Sequence, residues 1–179
     1  MDYMDPYIKL AKETIKEYLL SGRIIEIPKD LPLEILTRRA GIFICFKNKG
    51  ELRGCIGTFF PVYENIADEI IQNTISAATA DPRFIPVQVH ELGGLKITID
   101  ILSESIKIED EDINQLDPKK FGIVVKSEDG YRTGLLLPDL EGVDTVAQQI
   151  SIACEKAGID EYAENFHVYK FTVERHEER

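Results

Sequence analysis

A chain of 179 residues is long enough for one domain with a sizeable core and short for two independent ones. With 44% hydrophobic and 30% charged residues it has the composition of a folded globular protein, which excludes disordered and fibrous classes. A net charge of −11 opposes the phosphate attraction that supplies most nucleic-acid affinity, and the basic pairs Arg38-Arg39 and Lys119-Lys120 are too short to reverse it.

The cysteines, Cys45, Cys55 and Cys154, are odd in number and none lies in a CxxC pair, so neither a disulfide framework nor a zinc knuckle is expected, and a reducing cytoplasm fits. The opening segment "MDYMDPYIKLAKETIKEYLL" lacks the basic region and continuous apolar core of a signal peptide, and no run has the length of a membrane span. His90, His167 and His176 do not show metal-ligand spacing, so no metal site is assigned and the cofactor is unknown.

In chain order, the first expected element is a helix over 5–21. Asp5 caps it, Pro6 takes its first position, Ile8, Ala11, Ile15, Tyr18 and Leu19 form its apolar stripe, and Gly22 closes it in a left-handed conformation. "IPKDLPL" then reads as extended, and "LEILTRRAG" as a short helix ending at Gly41. "IFICF" predicts a strand buried on both faces, "KNKG" a turn with Asn48 and Gly50 at positive φ, and "ELRGCIGTFF" the returning strand. From Tyr63 to Ala80 the spacing of Ile66, Ile70, Ile71, Thr74 and Ala78 predicts a helix, stopped by "DPRF", and "LKITIDIL" alternates as a strand.

The second half repeats this order. "GIVVKSEDGYRTGLLLP" matches "GIFICFKNKGELRGCIG" in running from a glycine through an apolar strand and a polar turn to an arginine and a second strand. A helix from Val143 to Ala157 follows, with "ISIA" echoing the earlier "ISAA", and "HVYKFTV" is a last strand. Two hairpin-helix-strand units, over about 41–102 and 122–174, thus point to an internal duplication within one domain over 1–179. The fold class is α+β, with a mixed or antiparallel sheet and packed helices.

Arg53 and Arg132 occupy equivalent places, whereas Cys55 has no counterpart in "TGLLLP". With Asn48 and Lys49 as the turn, Phe46 pairs Glu51, Cys45 pairs Leu52 and Ile42 pairs Cys55. Arg53 and Cys55 then share one face, Cys45 lies on the other, and a Cys45 to Cys55 disulfide would need a one-residue slip. An arginine beside a thiol favours the thiolate, and Gly54 and Gly57 leave room for a ligand or another backbone. Free cysteine is also among the most buried residue types and strand glycines often mark close packing, so a plain core strand is the competing reading.

In "ADPRF", Asp81 is a turn residue, Arg83 a forked cation and Phe84 an anchor, and a loop folding over the hairpin would bring Asp81 to Arg53. The competing reading is a simple helix exit. Asp139, Glu141 and Asp144 precede a helix and suit its positive end. "SIKIEDEDINQLD" reads as a solvated acidic connection without calcium-loop spacing, and the tail "ERHEER" as frayed, with no role for His176.

Taken together, "LRGCIGTF", "DPRF", "ITIDILS" and "GLLLPDLEGVDTVAQQISIACEKAGI" resemble the AMMECR family, from about Tyr7 to Val173. The resemblance implies an α+β domain in which "LRGCIG" is the hallmark, and it implies association with Memo-type or radical-SAM proteins; it does not imply a reaction. Carried over, it marks Leu52, Arg53, Gly54, Cys55, Ile56 and Gly57, with Thr58 and Phe59 beside them. Three readings stand. One is a module binding a ligand or protein partner through Arg53, Gly54, Cys55, Gly57, Thr58, Asp81 and Arg83. A second is an enzyme using Cys55 as nucleophile or substrate contact, with Arg53 stabilising charge and His90 the histidine to check nearby. The last is a nucleic-acid factor, which the charge opposes. Oligomeric state is not readable from these residues.

Overall fold

The structure, a computed structural model, describes residues 4–178. Residues 1–3 and 179, which the expected domain range and opening segment include, lie outside the described residues. The chain divides into two compact units, one running to Leu102 and resuming at Glu174, the other Ser103–Val173.

The first unit opens with α1, Pro6–Ser21. Asp5 accepts hydrogen bonds from the Tyr7 and Ile8 amides, and Gly22 ends the helix at φ 73°, as the sequence predicts. The next helix, α2, is a single turn, Leu33–Thr37, and stops at Arg38 rather than at Gly41. Strands β1, Ile42–Asn48, and β2, Glu51–Gly57, form the hairpin. Helix α3 covers Ile66–Thr79 behind the Asn65 cap, and β3 is Leu95–Leu102. The sheet order is β2-β1-β3-β8, with β1 antiparallel to both neighbours. Ile42, Ile44 and Phe46 of β1, Ile97, Ile99 and Ile101 of β3, and the buried faces of α1 and α3 make one core. Strand β1 is therefore buried on one face only, since Phe43 and Cys45 remain half-buried. An interior strand looks uniformly apolar in sequence because its second face is still partly covered.

The second unit contains β4, Ile106–Ile108; β5, Gly122–Ser127; β6, Thr133–Leu136; α4, Val146–Ala157; and β7, Phe166–Phe171. Its sheet order is β4-β7-β5-β6 with every pair antiparallel. Its core gathers Ile123, Val125, Leu136, Ala153, Cys154 and Val168. The acidic stretch 105–117 is thus not a featureless connection: it holds edge strand β4 and a 3-10 turn, Asp110–Gln115. Thr145, paired with Gln148 in a capping box, caps α4, while Asp144 lies outside it within 3.5 Å of Lys119.

The chain returns to the first unit as β8, Val173–Glu177, which corrects the expectation of a frayed tail. Arg175 makes a two-pronged ion pair with the buried Asp100, at 2.7 and 2.9 Å. His176 stacks on Tyr7 with ring centroids 4.0 Å apart and contacts Asp5 and Glu174. A polar run reads as disordered in sequence because its partners, in β3 and at the start of α1, are distant along the chain and invisible there.

Candidate functional site

The hallmark lies on β2, an edge strand, so one side of its backbone has no strand neighbour. The turn of the hairpin is Lys49-Gly50, with φ 52° and 87°, rather than Asn48-Lys49. Positive φ at both central residues is the twist-matched two-residue turn. This turn pairs Asn48 with Glu51 and Lys47 with Leu52. A bulge between Phe46 and Lys47 then leaves Arg53 unpaired and sets Phe46 against Gly54 and Cys45 against Cys55. The expected register is therefore overturned. The new turn moves the pairing by two residues and the bulge by one more, so both cysteines face the same side, and they are joined by a disulfide, with Cα atoms 4.1 Å apart.

The segment 80–91 folds over the outer edge of β2. Asp81 accepts from the Cys55 amide at 2.9 Å, and Arg83 donates from Nη2 to the Cys55 carbonyl at 3.3 Å. These two side chains are themselves paired, Arg83 Nη2 to Asp81 Oδ2 at 2.7 Å and Nε to Oδ1 at 2.9 Å. The ion pair thus offers the exposed strand edge one acceptor and one donor, as a neighbouring strand would. The Asp81 side chain is 2% exposed and that of Arg83 55%. The Arg83 guanidinium holds the Asp81 carboxyl far below the usual carboxylate range, helped by the Cys55 amide.

Arg53 does not meet Asp81, contrary to expectation. Its guanidinium grips Glu91 with two bonds, Nε to Oε2 at 2.7 Å and Nη2 to Oε1 at 2.9 Å, and donates to the Ile85 carbonyl at 3.0 Å. Phe84 lies between the two arginines, its ring centroid 6.0 Å from the Arg53 guanidinium carbon and 5.5 Å from that of Arg83. Glu91 also accepts from the Gln88 amide, and the Arg53 bonds hold its carboxyl below the ordinary range.

The bare sides of the glycines are filled by the protein itself. A Cβ at Gly54 would overlap the Ala77 carbonyl oxygen of α3, and one at Gly57 would overlap Phe43 and the Ile42 carbonyl. Thr58 is turned inward. Its amide donates to Ile42 O at 3.0 Å, its hydroxyl donates to Glu69, and Asn73 donates to that hydroxyl at 3.2 Å. Buried Glu69 also accepts from the Val62 and Tyr63 amides at 3.0 and 2.9 Å, fixing the loop that leaves β2. His90 is exposed in the turn Val89–Gly94, and no hydrogen bond joins it to Cys55.

Of the residues expected at the site, Arg53, Gly54, Cys55, Asp81 and Arg83 converge on the β2 edge, while Gly57 and Thr58 serve the turn into the next loop. Cys45, Glu69 and Glu91 were missed as participants. Glu69 left a signal, a carboxylate on the apolar stripe of α3 between Ile66 and Asn73, and buried carboxylates need partners. Cys45 was visible as a partner for Cys55 only under a shifted register, which a turn and a bulge supply, and Glu91 left no signal, because a turn decides its position. Among the described residues, no cluster of histidine, cysteine or carboxylate groups has metal-binding geometry, and no helix is long and apolar enough to cross a membrane.

The second unit carries part of the same arrangement. Arg132 pairs through both Nη groups with Glu164 and donates to Gly158 O at 2.6 Å, and a Cβ at Gly134 would overlap the Ala153 carbonyl. It has neither the cysteine pair nor the Asp81-Arg83 clip. The arginine–glutamate pair and the close glycine are therefore scaffold, and the sulfur pair with its clip distinguishes the first unit.

An α+β architecture of two four-stranded antiparallel sheets, with the hallmark on an edge strand, defines a class of small domain found in other organisms. The AMMECR1 family model matches residues 8–176, and the chain belongs to that family. A Thermotoga maritima protein is 49% identical over 172 residues, covering 96% of this chain and 97% of its own. A Clostridium acetobutylicum protein is 47% identical over 97% of this chain, which spans only 36% of that longer protein. The crystal structure of an uncharacterised protein from Pyrococcus horikoshii matches with a TM-score of 0.86 at 33% identity, covering 97% of this chain and 90% of that one.

Proposed function

We propose that the "LRGCIGTF" hairpin and the segment 81–91 form a docking face for a protein partner. The observation that carries this reading is the contrast between polar groups engaged within the domain and apolar side chains exposed to solvent. Arg53, Asp81 and Cys55 have their charges, lone pairs or sulfur engaged within the domain. Around them, Ile85 is 76% exposed, Phe60 58% and Val62 64%, with Leu52 and Val89 also exposed. Apolar side chains on a rigid frame with internally satisfied polar groups suit association more than turnover. The longer Clostridium relative supports a partner too, since the same domain there is joined to further chain.

The partner class the family suggests is a Memo-type or radical-SAM protein, in a cytoplasmic setting. The alternative role of Cys55 as a nucleophile requires its reduced state, and among the described residues it finds no histidine bonded to it. The shared arginine–glutamate pair and close glycine support internal duplication as the origin of the two units. The test is capture of purified Memo-type and radical-SAM proteins by the immobilised chain. Ile85→Glu and Phe60→Glu should abolish capture while leaving circular dichroism unchanged. Undiminished capture by both variants, or no capture by the parent chain, refutes this face as the docking site.

A further inference from the structure

We propose that Cys45 and Cys55 are a reversible dithiol–disulfide couple that exchanges with an external dithiol. This stands apart from the docking reading, because it concerns sulfur chemistry that is measurable without any partner protein.

The geometry comes first. The Cys55 amide and carbonyl point outward to Asp81 and Arg83, so they do not bond to β1, and the opposed residue Cys45 belongs to a non-hydrogen-bonded pair. Such pairs are the narrow ones of an antiparallel ladder, with Cα atoms about 4.5 Å apart and side chains closest. Cys45 and Cys55 are 4.1 Å apart at Cα and on the same face. Their sulfurs therefore meet across the ladder, and the Arg53 bulge is what brings them there.

Access comes second. The pair lies on the face of β1 opposite Ile42, Ile44 and Phe46, and both cysteines are only half-buried, so an incoming sulfur can reach one of them. Cys154 provides the contrast within the chain: it is fully buried, and burial pushes its thiol up to about 11. A buried, protonated thiol is inert.

Retention of the fold comes third. The cysteines are 10 residues apart within a hairpin already held by its ladder, by β3 on the far side of β1, and by the Asp81-Arg83 clip on Cys55. Opening the sulfur bond leaves all of these in place. The closed and open forms therefore share one backbone, which is what a couple cycling in a reducing compartment requires.

The exchange balances as follows. A thiolate of the external dithiol attacks one sulfur of the pair, the sulfur–sulfur bond breaks, and the other cysteine leaves as a thiolate that takes a proton. The second external thiolate then attacks the mixed disulfide, releasing the first cysteine. Two electrons and two protons pass to the chain, and the external dithiol becomes its cyclic disulfide.

The test uses the folded full chain, equilibrated with reduced and oxidised dithiothreitol in varied ratio, alkylated, and mapped by peptide mass. In the oxidised buffer the chain should take no label. In the reduced buffer Cys45 and Cys55 should both label, Cys154 should not, and circular dichroism should be unchanged. Returning the protein to oxidised dithiothreitol should restore the unlabelled state. Labelling only after denaturant would overturn the proposal in favour of a fixed crosslink. Labelling of both cysteines in oxidised buffer would overturn it because no couple forms. As a second arm, Cys45→Ser should leave Cys55 able to form a mixed disulfide with glutathione disulfide in the folded state, and failure to form it would overturn the required access.

Discussion

Replacing Asp81 with alanine removes the acceptor that serves both the β2 edge and Arg83. Its carboxylate takes bonds from the Cys55 amide, the Arg83 amide, and the Arg83 Nε and Nη2, from an almost fully buried position. The Cys55 amide, left facing a covered edge without an acceptor, costs about 1–3 kcal/mol. The Arg83 guanidinium, 55% exposed, recovers solvent, so losing its pair adds about 0–1 kcal/mol. The expected loss is about 1–4 kcal/mol, or about 2–16 °C in Tm for a chain of this size. Urea unfolding at pH 7 measures it; Arg83→Ala, which leaves the almost fully buried Asp81 carboxylate without its cation, should lose stability as well, by about 1–3 kcal/mol. The pH dependence carries its own sign. The folded-state pKa of Asp81 lies below its unfolded value, so its stabilisation is complete above the unfolded value of about 3.9 and is lost as pH falls towards the folded value. The gap between parent and variant should therefore narrow between about pH 4 and pH 2. An Asp81→Ala loss within about 0.5 kcal/mol of zero at pH 7 would refute the edge-capping argument.

Gly54→Ala places a methyl group on the Ala77 carbonyl of α3, with backbone on both sides of the clash, and should cost about 1–3 kcal/mol in thermal unfolding; Gly50→Ala is a poor control because its φ is 87°, so Gly93→Ala, which meets nothing, serves instead. Arg53→Ala and Glu91→Gln should be strongly coupled in a double-mutant cycle, by about 1–3 kcal/mol, since each of their side chains is about 15% exposed and their bonds are two-pronged. Additive losses would show that Glu91 serves the Gln88 turn rather than Arg53. Glu69→Ala strands the Val62 and Tyr63 amides and should make the loop 58–65 the first site of limited proteolysis, whereas cleavage elsewhere first would count against its role as the loop's anchor.

Local chemistry makes much of this protein legible in its amino-acid order. Asp5, Pro6 and Gly22 mark the bounds of α1, because caps and left-handed stops act within a few residues. The apolar spacing of Ile66, Ile70, Ile71, Thr74 and Ala78 fixes α3 and its buried face, and the alternation of "LKITIDIL" fixes β3, because side-chain direction follows backbone period. The α+β class and the place of the hallmark on a returning strand follow from the same rules. Register did not follow, since one bulged residue at Arg53 reverses which face every later side chain takes, and a bulge leaves no period in the sequence. The partners of Arg53, Asp81 and Cys55 depended on that reversal and on the path of the loop from Ala80 to Glu91. The Cys45-Cys55 bond is the clearest consequence: the cysteine types were legible, but only the tertiary ladder, moved by its turn and its bulge together, set them opposite one another.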